Sequence, residues 1–393
     1  MSEVKTNEVI VVGGGPGGYA AAFHAAEKGK KVTLINDQPK PGGACLHVGC
    51  IPSKALLHTA KLITDAKEAS QFGVHFDEPK IKVDEVRGHW QKVVQKLANG
   101  LEFLCKKREV ELVHARATLA DGQTLNLSDG SQRRFEHCIL ATGSSPVVPG
   151  PLQIDDERLM TSNEALKLTG VPCSLLVIGG GYIGLELGYV YAALGCKVTV
   201  VEMMPSLLPG VDVDLVRPLK KRLSSMFEGI HLKTQVSKLE PKKKGIEATL
   251  KGEGDKVIKE TFDRVLVAVG RRPNSRDLGL ENTKIQVDDS GFVVTDKQCR
   301  TAEERIFAIG DLVGQPMLAH KASYEGKVAA EVIAGANAQI DYLAVPAVVF
   351  TDPELAWVGL TEEEAHNQGI TVEPVRYAWG ASGRAMTMDR AEG

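Results

Sequence analysis

Short apolar runs alternate with Ala- and Leu-rich stretches along this chain, and twice the order is identical. VIVVGGGPGGYAAAFHAAEKGKKVTLIN (9–36) and LLVIGGGYIGLELGYVYAALGCKVTVVE (175–202) align without a gap, pairing Gly13 with Gly179, Gly15 with Gly181, Gly18 with Gly184 and Gly29 with Gly195. Each copy is predicted as a strand, a glycine turn, a helix and a second strand. Residues 58–108 are rich in helix formers, with apolar positions at Val93, Leu97, Leu101 and Leu104, and predict a helical hairpin. Residues 110–141 turn β-rich around Asp-Gly turns and predict an antiparallel excursion. ATGSSPVVPG (141–150) and AVGRRPN (268–274) close the first and second units with the same strand, glycine and proline order, and the segment from Val345 reads as strands plus a helix. The expected domains are therefore 1–150, 151–272, 273–344 and a partial one at 345–393.

A lone G-x-G-x-x-G is a weak signal, but here both copies follow an apolar strand and open a helix. That context lets backbone N–H groups at a helix N-terminus approach a pyrophosphate. The second strand of each copy ends about 20 residues on, where an acidic side chain would hold a ribose hydroxyl. In the second copy that residue is Glu202, followed by Met203 and Met204 with no arginine for a 2′-phosphate, so NAD is favoured over NADP. Lys220, Lys221 and Arg222 fall well past the strand end and read as a solvated helix face. In the first copy the position is Asn36 with Asp37 beside it, so the ribose contact is either a weaker amide interaction or a shift by one residue. The fold class is α/β, with two Rossmann-like dinucleotide-binding domains and an incomplete C-terminal α+β domain.

Composition changes the picture in three places. Lys plus Arg (47) nearly balances Asp plus Glu (50), and the net charge of -3 gives no reason to expect nucleic acid or an anionic membrane as partner. No apolar run reaches the length of a membrane helix, and the first residues lack the marks of a signal peptide, so a cytoplasmic protein is expected. Seven cysteines in so long a chain do not resemble a secreted disulfide framework, and the close pair Cys45 and Cys50 reads as catalytic or metal-binding. Pro52 suits the first turn of a helix, which places Cys50 near a helix N-terminus whose partial positive charge stabilises a thiolate. Cys105, Cys138, Cys173, Cys196 and Cys299 are spread among predicted strands and helices and are expected to be inert, as small buried hydrophobes. Asp311 follows a strand and a glycine in FAIGDLVGQPMLAHKASYEG, where it could bind a polyol chain or cap a turn.

GGACLHVGCIPSKALLH (42–58), both glycine fingerprints, ATGSSP, AVGRRPN, GDLVGQPMLAHKA and TDPELAWVGLTEEEA together resemble the dihydrolipoamide dehydrogenases, within the disulfide flavoprotein reductases that include glutathione and mercuric reductases. The likeness runs over essentially the whole chain, and IPSKALLH favours the lipoamide branch. The resemblance implies that the first fingerprint holds FAD through Gly13, Gly15, Gly18 and Asn36, helped by Lys54, Thr142, Gly143, Ser144, Asp311, Met317, Ala319 and His320. It implies NAD at Gly179, Gly181, Tyr182, Gly184, Glu202 and Gly270. Cys45 and Cys50 would be the redox-active disulfide, Cys45 facing substrate and Cys50 the flavin, with Lys54 paired to Glu186. Electrons would pass from a dihydrolipoyl thiol through the disulfide and flavin to NAD.

A zinc site is not expected, because C-x4-C with His47 and His58 nearby lacks structural-zinc spacing and no second cysteine pair answers it. The implied partners are the lipoyl-bearing subunit of a 2-oxo acid dehydrogenase or glycine cleavage complex, and a second copy of the chain where the interface domain is complete. Three departures stand out. The family's acid–base histidine, in a C-terminal segment, has no counterpart among the ten histidines, so the chain is expected to be a fragment or else a protein whose substrate thiol needs no such base. The alternative functions are another flavin disulfide reductase, of the glutathione- or mercuric-reductase kind, or a truncated nucleotide-binding subunit with diaphorase activity alone. Tyr182 stands where lipoamide dehydrogenases carry a small aliphatic residue and glutathione reductases a gating tyrosine. His47 and Asn36 replace the usual asparagine and acidic residue, which predicts weaker retention of FAD.

Overall fold

The computed structural model describes residues 5–254 and 257–392. The chain forms two units, each assembled from separate stretches: Met1–Pro52, Gln91–Ser145 and Arg271–Leu343 in the first, and Ser53–Trp90, Pro146–Gly270 and Ala344–Gly393 in the second. The elements of the first half run β1 (Lys5–Val12), α1 (Pro16–Glu27), β2 (Val32–Asn36), α2 (Gly43–Val48), α3 (Cys50–Glu68), α4 (Val83–Lys107), β3 (Glu111–His114), β4 (Ala117–Asp121), β5 (Thr124–Leu127) and β6 (Gln132–Leu140).

In the first unit β1 is the centre of a sheet ordered β3-β2-β1-β6-β5-β4, with the strand Ile306–Ala308 also paired to β6. The pairs β1/β2, β1/β6, β2/β3 and Ile306–Ala308/β6 are parallel, while β5/β6 and β4/β5 are antiparallel. Val9, Ile10, Val11 and Val12 are all buried, the continuous apolar run expected of a parallel strand covered on both faces. Small residues set how closely the covering helices approach. A Cβ on Gly326, in the helix Ala319–Ile333, would stand 2.5 Å from Gly17 O of α1, so this crossing requires glycine.

The second unit repeats the plan with a parallel sheet ordered Gly229–His231, Lys197–Val201, Ser174–Ile178, Arg264–Val267, Leu159–Met160. A three-stranded antiparallel sheet (Gln235–Lys242, Gly245–Lys251, Val257–Phe262) and a strand pair Ala347–Val349/Leu355–Trp357 complete it. The order of strands and helices predicted for both glycine copies is the order observed.

The helix spacing was correct for α4, but the buried stripe differs. Trp90, Val94, Ala98 and Cys105 are buried, whereas Leu97 is 44% and Phe103 63% exposed. α4 carries apolar side chains on more than one face, and a 3.6-residue period does not say which of two adjacent stripes the neighbours will cover.

Candidate active site and nucleotide sites

The three glycines of each fingerprint have different physical roles. Gly13 and Gly179 adopt φ values of +109° and +111°, and a Cβ there would lie 2.2 Å from Ala141 O and 2.4 Å from Ala268 O. Both conformation and space therefore exclude any other residue. Their N–H groups continue the sheet, donating to Ile35 O (2.8 Å) and Val201 O (2.9 Å). Gly18 and Gly184 let each helix close onto its own loop, since a Cβ would stand 1.8 Å from Gly13 O and 2.2 Å from Gly179 O. The middle glycines face open space: the nearest atom to a Cβ on Gly15 is Gly43 Cα at 3.8 Å, and nothing lies within 4 Å at Gly181. Room is kept at the helix N-terminus, where a pyrophosphate would approach, so both loops fit a dinucleotide.

Gly181→Ala is accordingly expected to fold, with stability within about 0.5 kcal/mol of the parent, yet to bind NADH at least about tenfold more weakly. Fluorescence titration and a thermal melt measure both. Unchanged NADH affinity would mean that the open space is not the pyrophosphate site.

The ribose ends of the two sites differ. Glu202 is buried, and its carboxylate accepts N–H bonds from Gly180 (2.7 Å) and Met204 (2.8 Å), leaving each oxygen a lone pair for a hydroxyl. Asn36 is also buried, but its amide is committed to the chain: Oδ1 accepts from Gly14 N–H (3.2 Å), and Nδ2 donates to Gln38 O (2.7 Å) and Lys40 O (3.1 Å). A carboxylate could not make the last two bonds. Asp37, exposed, lines a cavity of about 430 Å³ together with Gly13, Ala115 and Thr142.

The expected flavin residues Thr142, Gly143 and Ser144 are zipped to the loop after Gly270. Thr142 Oγ1 donates to Asn274 O (3.0 Å), Asn274 Nδ2 to Thr142 O (2.9 Å), and Arg271 Nε to Ser144 Oγ (2.8 Å). Ser144 Oγ donates to Asp311 Oδ2, which brings Asp311 to this edge of the first unit. The turn carrying Asp311 rests on a buried ion pair: Lys321 Nζ and Glu325 Oε1 are 2.9 Å apart, with side chains 4% and 2% exposed. Glu325 Oε2 accepts the Gly310 N–H at 2.7 Å. Met317, Ala319 and His320 stand at the start of the helix Ala319–Ile333, with His320 exposed. Asn274, Arg271, Lys321 and Glu325 were missed from sequence, although Asn274 and Arg271 sit inside the AVGRRPN motif and Lys321 and Glu325 have i, i+4 spacing.

The thiol segment is built onto the first glycine loop. Gly42 N–H donates to Gly14 O (2.7 Å), and a Cβ on Gly43 would lie 2.5 Å from Gly15 Cα. Cys45 is on α2, and Cys50 is the first residue of the 19-residue α3. Between them Gly49 folds back until a Cβ there would be 3.3 Å from Cys45 Cα, so glycine is what lets the chain return Cys50 towards Cys45. Both cysteines are half-buried, and the helix N-terminus favours a thiolate at Cys50. Burial, and after it the charges of Cys45 and Cys50, push the Tyr19 phenol above its ordinary pKa, which sets this unpredicted side chain beside the thiols. His47 turns its Nε2 to Lys40 O (3.2 Å) and Pro41 O (3.1 Å).

In the second unit Lys54 Nζ reaches both carboxylate oxygens of Glu186, at 3.1 and 2.9 Å. Glu186 is 3% exposed, accepts the Phe350 N–H at 3.0 Å, and Lys54 Nζ lies 4.4 Å from the Phe350 ring centroid. Tyr182 opens the helix Tyr182–Ala193 and is 39% exposed. Among the described residues no group of three or more His, Cys, Asp or Glu side chains could hold a metal, and no helix is long and apolar enough to cross a membrane.

Two phosphate loops, one of them carrying a cysteine pair beside a helix N-terminus, define the class of two-nucleotide disulfide oxidoreductases. Comparison with known proteins gives the same answer. The family model described as pyridine nucleotide-disulphide oxidoreductase matches residues 7–326, and its dimerisation domain matches 345–393. The chain is 45% identical to the dihydrolipoyl dehydrogenase of Haemophilus influenzae, with 100% of this chain and 82% of that protein covered. It is 44% identical to that of Vibrio cholerae, covering 100% and 83%. Among solved structures, LpdA from Mycobacterium tuberculosis superposes with a TM-score of 0.89 at 26% identity, covering 98% of this chain and 85% of the other. The HOCl-induced flavoprotein disulfide reductase RclA of Escherichia coli superposes at 0.85 and 26%, covering 98% and 85%. The chain belongs to the pyridine nucleotide-disulphide oxidoreductase family, in its dihydrolipoyl dehydrogenase branch, and its cofactors are FAD and NAD.

Proposed function

We propose that this chain oxidises dihydrolipoyl groups to lipoyl disulfides with NAD as final acceptor, and that Cys45 and Cys50 are its redox centre. The observation that carries the reading is the pair of cysteines folded back on Gly49 at the N-terminus of α3 and docked on the first glycine loop. Cys45 takes the role of interchange thiol: a substrate thiolate attacks its sulfur, and the resulting mixed disulfide is resolved by the second substrate thiol. Cys50 leaves as a thiolate that the helix N-terminus stabilises. Bound FAD supplies the electron acceptor for this thiolate, and NAD the hydride acceptor that follows. Glu186 holds the Lys54 ammonium in place through two charge-assisted bonds, which keeps a fixed positive charge one turn into α3. Asp37 takes the ribose carboxylate's role at the FAD site, since the Asn36 amide is occupied by Gly14, Gln38 and Lys40. Glu202 serves the ribose of NAD and would repel a 2′-phosphate.

The dimerisation-domain match supports a homodimer. The chemistry of the substrate points to the lipoyl-bearing subunit of a 2-oxo acid dehydrogenase or glycine cleavage complex as partner, in the cytoplasm. Anaerobic addition of dihydrolipoamide to the flavin-loaded chain is the test. Bleaching of the flavin absorbance, followed by NAD reduction, is the expected result. Turnover of glutathione disulfide with NADPH, and none of dihydrolipoamide with NAD, would overturn the assignment.

A further inference from the structure

Of the five cysteines expected to be inert, Cys173 is exposed, and it has a neighbour. Cys173 immediately precedes the strand Ser174–Ile178, and Cys196, which is buried, immediately precedes Lys197–Val201. The two strands pair in parallel with Ser174 opposite Lys197 and Leu175 opposite Val198. Lys197 N–H donates to Cys173 O at 3.0 Å, the bond that closes the Ser174–Lys197 pair, and the two cysteines are the residues one step before that pair. Side chains alternate along a strand, which sets Cys173 and Cys196 on the face shared by Leu175 and Val198. Neighbouring strands lie about 4.8 Å apart, within the Cα separation of about 4.4–6.8 Å that a disulfide accepts.

Both positions are anchored. Ser174 N–H donates to Asp263 Oδ2 (3.1 Å), Asp263 N–H donates back to Ser174 Oγ (3.0 Å), and Cys196 N–H donates to Tyr191 O (3.0 Å). Burial, then the charges of Asp263 and of Cys173 itself, push the Cys196 thiol up to about 12, as expected of a sulfur close to both.

We propose that Cys173 and Cys196 are a second dithiol, a modification site that closes to a disulfide under a hydroperoxide oxidant. The Cys173 thiolate attacks the distal peroxide oxygen, the O–O bond breaks, and a sulfenic acid forms as the remaining alkoxide or hydroxide leaves and takes up the proton that the thiol had shed, giving an alcohol or water. The Cys196 sulfur then displaces hydroxide from the Cys173 sulfur, forming the S–S bond as the S–O bond breaks. The Cys196 proton leaves with that hydroxide as water. Two electrons pass from the sulfurs to the peroxide, and a dithiol returns the pair to its starting state by exchange. Cys196 is buried and stays a thiol at neutral pH, so oxidation begins at the exposed Cys173. This inference goes beyond the proposed function and does not depend on it.

The test uses the flavin-loaded full chain, exposed to hydrogen peroxide, alkylated after unfolding without reduction, digested and mapped by mass spectrometry. The expected result is a cross-linked peptide joining Cys173 to Cys196, removed by dithiothreitol and absent from Cys173→Ser, a variant with unchanged dihydrolipoamide turnover. Recovery of Cys196 fully alkylated, with Cys173 as a sulfinic or sulfonic acid, would overturn it.

Discussion

Cys45→Ser and Cys50→Ser are each expected to lower NAD reduction by dihydrolipoamide by at least about 10³-fold, the scale of loss when a mechanism-defining nucleophile is removed. Flavin should stay bound in both. The reason lies in the local construction. Thiol exchange needs a sulfur to be attacked and a second sulfur to leave, and a serine oxygen does neither. The two cysteines stand where they do because Gly42 and Gly43 dock on the first glycine loop and Gly49 returns the chain, and serine disturbs none of these contacts. NADH oxidation with an artificial electron acceptor is therefore expected to persist. Steady-state assays with both acceptors on both variants settle the matter, and substantial lipoamide turnover by either one would remove the pair from the mechanism.

The second large effect concerns Glu325. Replacing it with leucine leaves the Lys321 ammonium buried without its carboxylate and the Gly310 N–H without its acceptor, and breaking a buried ion pair from one side costs about 3–5 kcal/mol. At about 2–4 °C per kcal/mol for a unit of this size, the melting temperature should fall by roughly 10 °C. The flavin should also dissociate more readily, because Glu325 accepts the Gly310 N–H and so holds the turn that presents Asp311. The double variant Lys321→Met/Glu325→Leu separates these effects. Removing both charges is expected to restore most of the stability, whereas the Gly310 N–H still lacks its acceptor and flavin retention stays low. Calorimetry and flavin fluorescence after gel filtration measure the two quantities, and a Glu325→Leu protein that melts and holds flavin like the parent would overturn this account.

Much of the site was legible because its parts are local. The glycine spacing, the helix start at Cys50 and the acidic end of the strand at Glu202 are each signals carried within about 20 residues, although the space at Gly13 and Gly179 is closed by the distant Ala141 and Ala268. The parts that were missed are contacts between distant segments. Asn274 meets Thr142 across more than a hundred residues of sequence, and nothing at either position announces the other. The Lys321–Glu325 spacing is that of any i, i+4 helix pair, and only its burial by the fold sets it apart. At the first ribose position the sequence left two readings open, an amide contact from Asn36 or a shift by one residue; the bonds from the Asn36 amide to Gln38 and Lys40, with Asp37 lining the cavity, favour the shift. For α4 the period was visible, but which stripe is buried depended on what packed against it.

By itself, the sequence determined the class of fold, the duplicated nucleotide loops, the thiol pair and the preference for NAD. Each of these follows from short-range signals: the spacing of glycines, periodicity, and N–H groups at helix starts. Tertiary structure alone decided which polar groups are already occupied by the chain and which still face open space, since hydrogen-bond partners and burial come from segments far apart in sequence. It also decided that Cys173 is exposed and that Cys173 and Cys196 each precede a residue of the Ser174–Lys197 pair, because strand register, and not the residues themselves, brings those two chain positions to neighbouring strands.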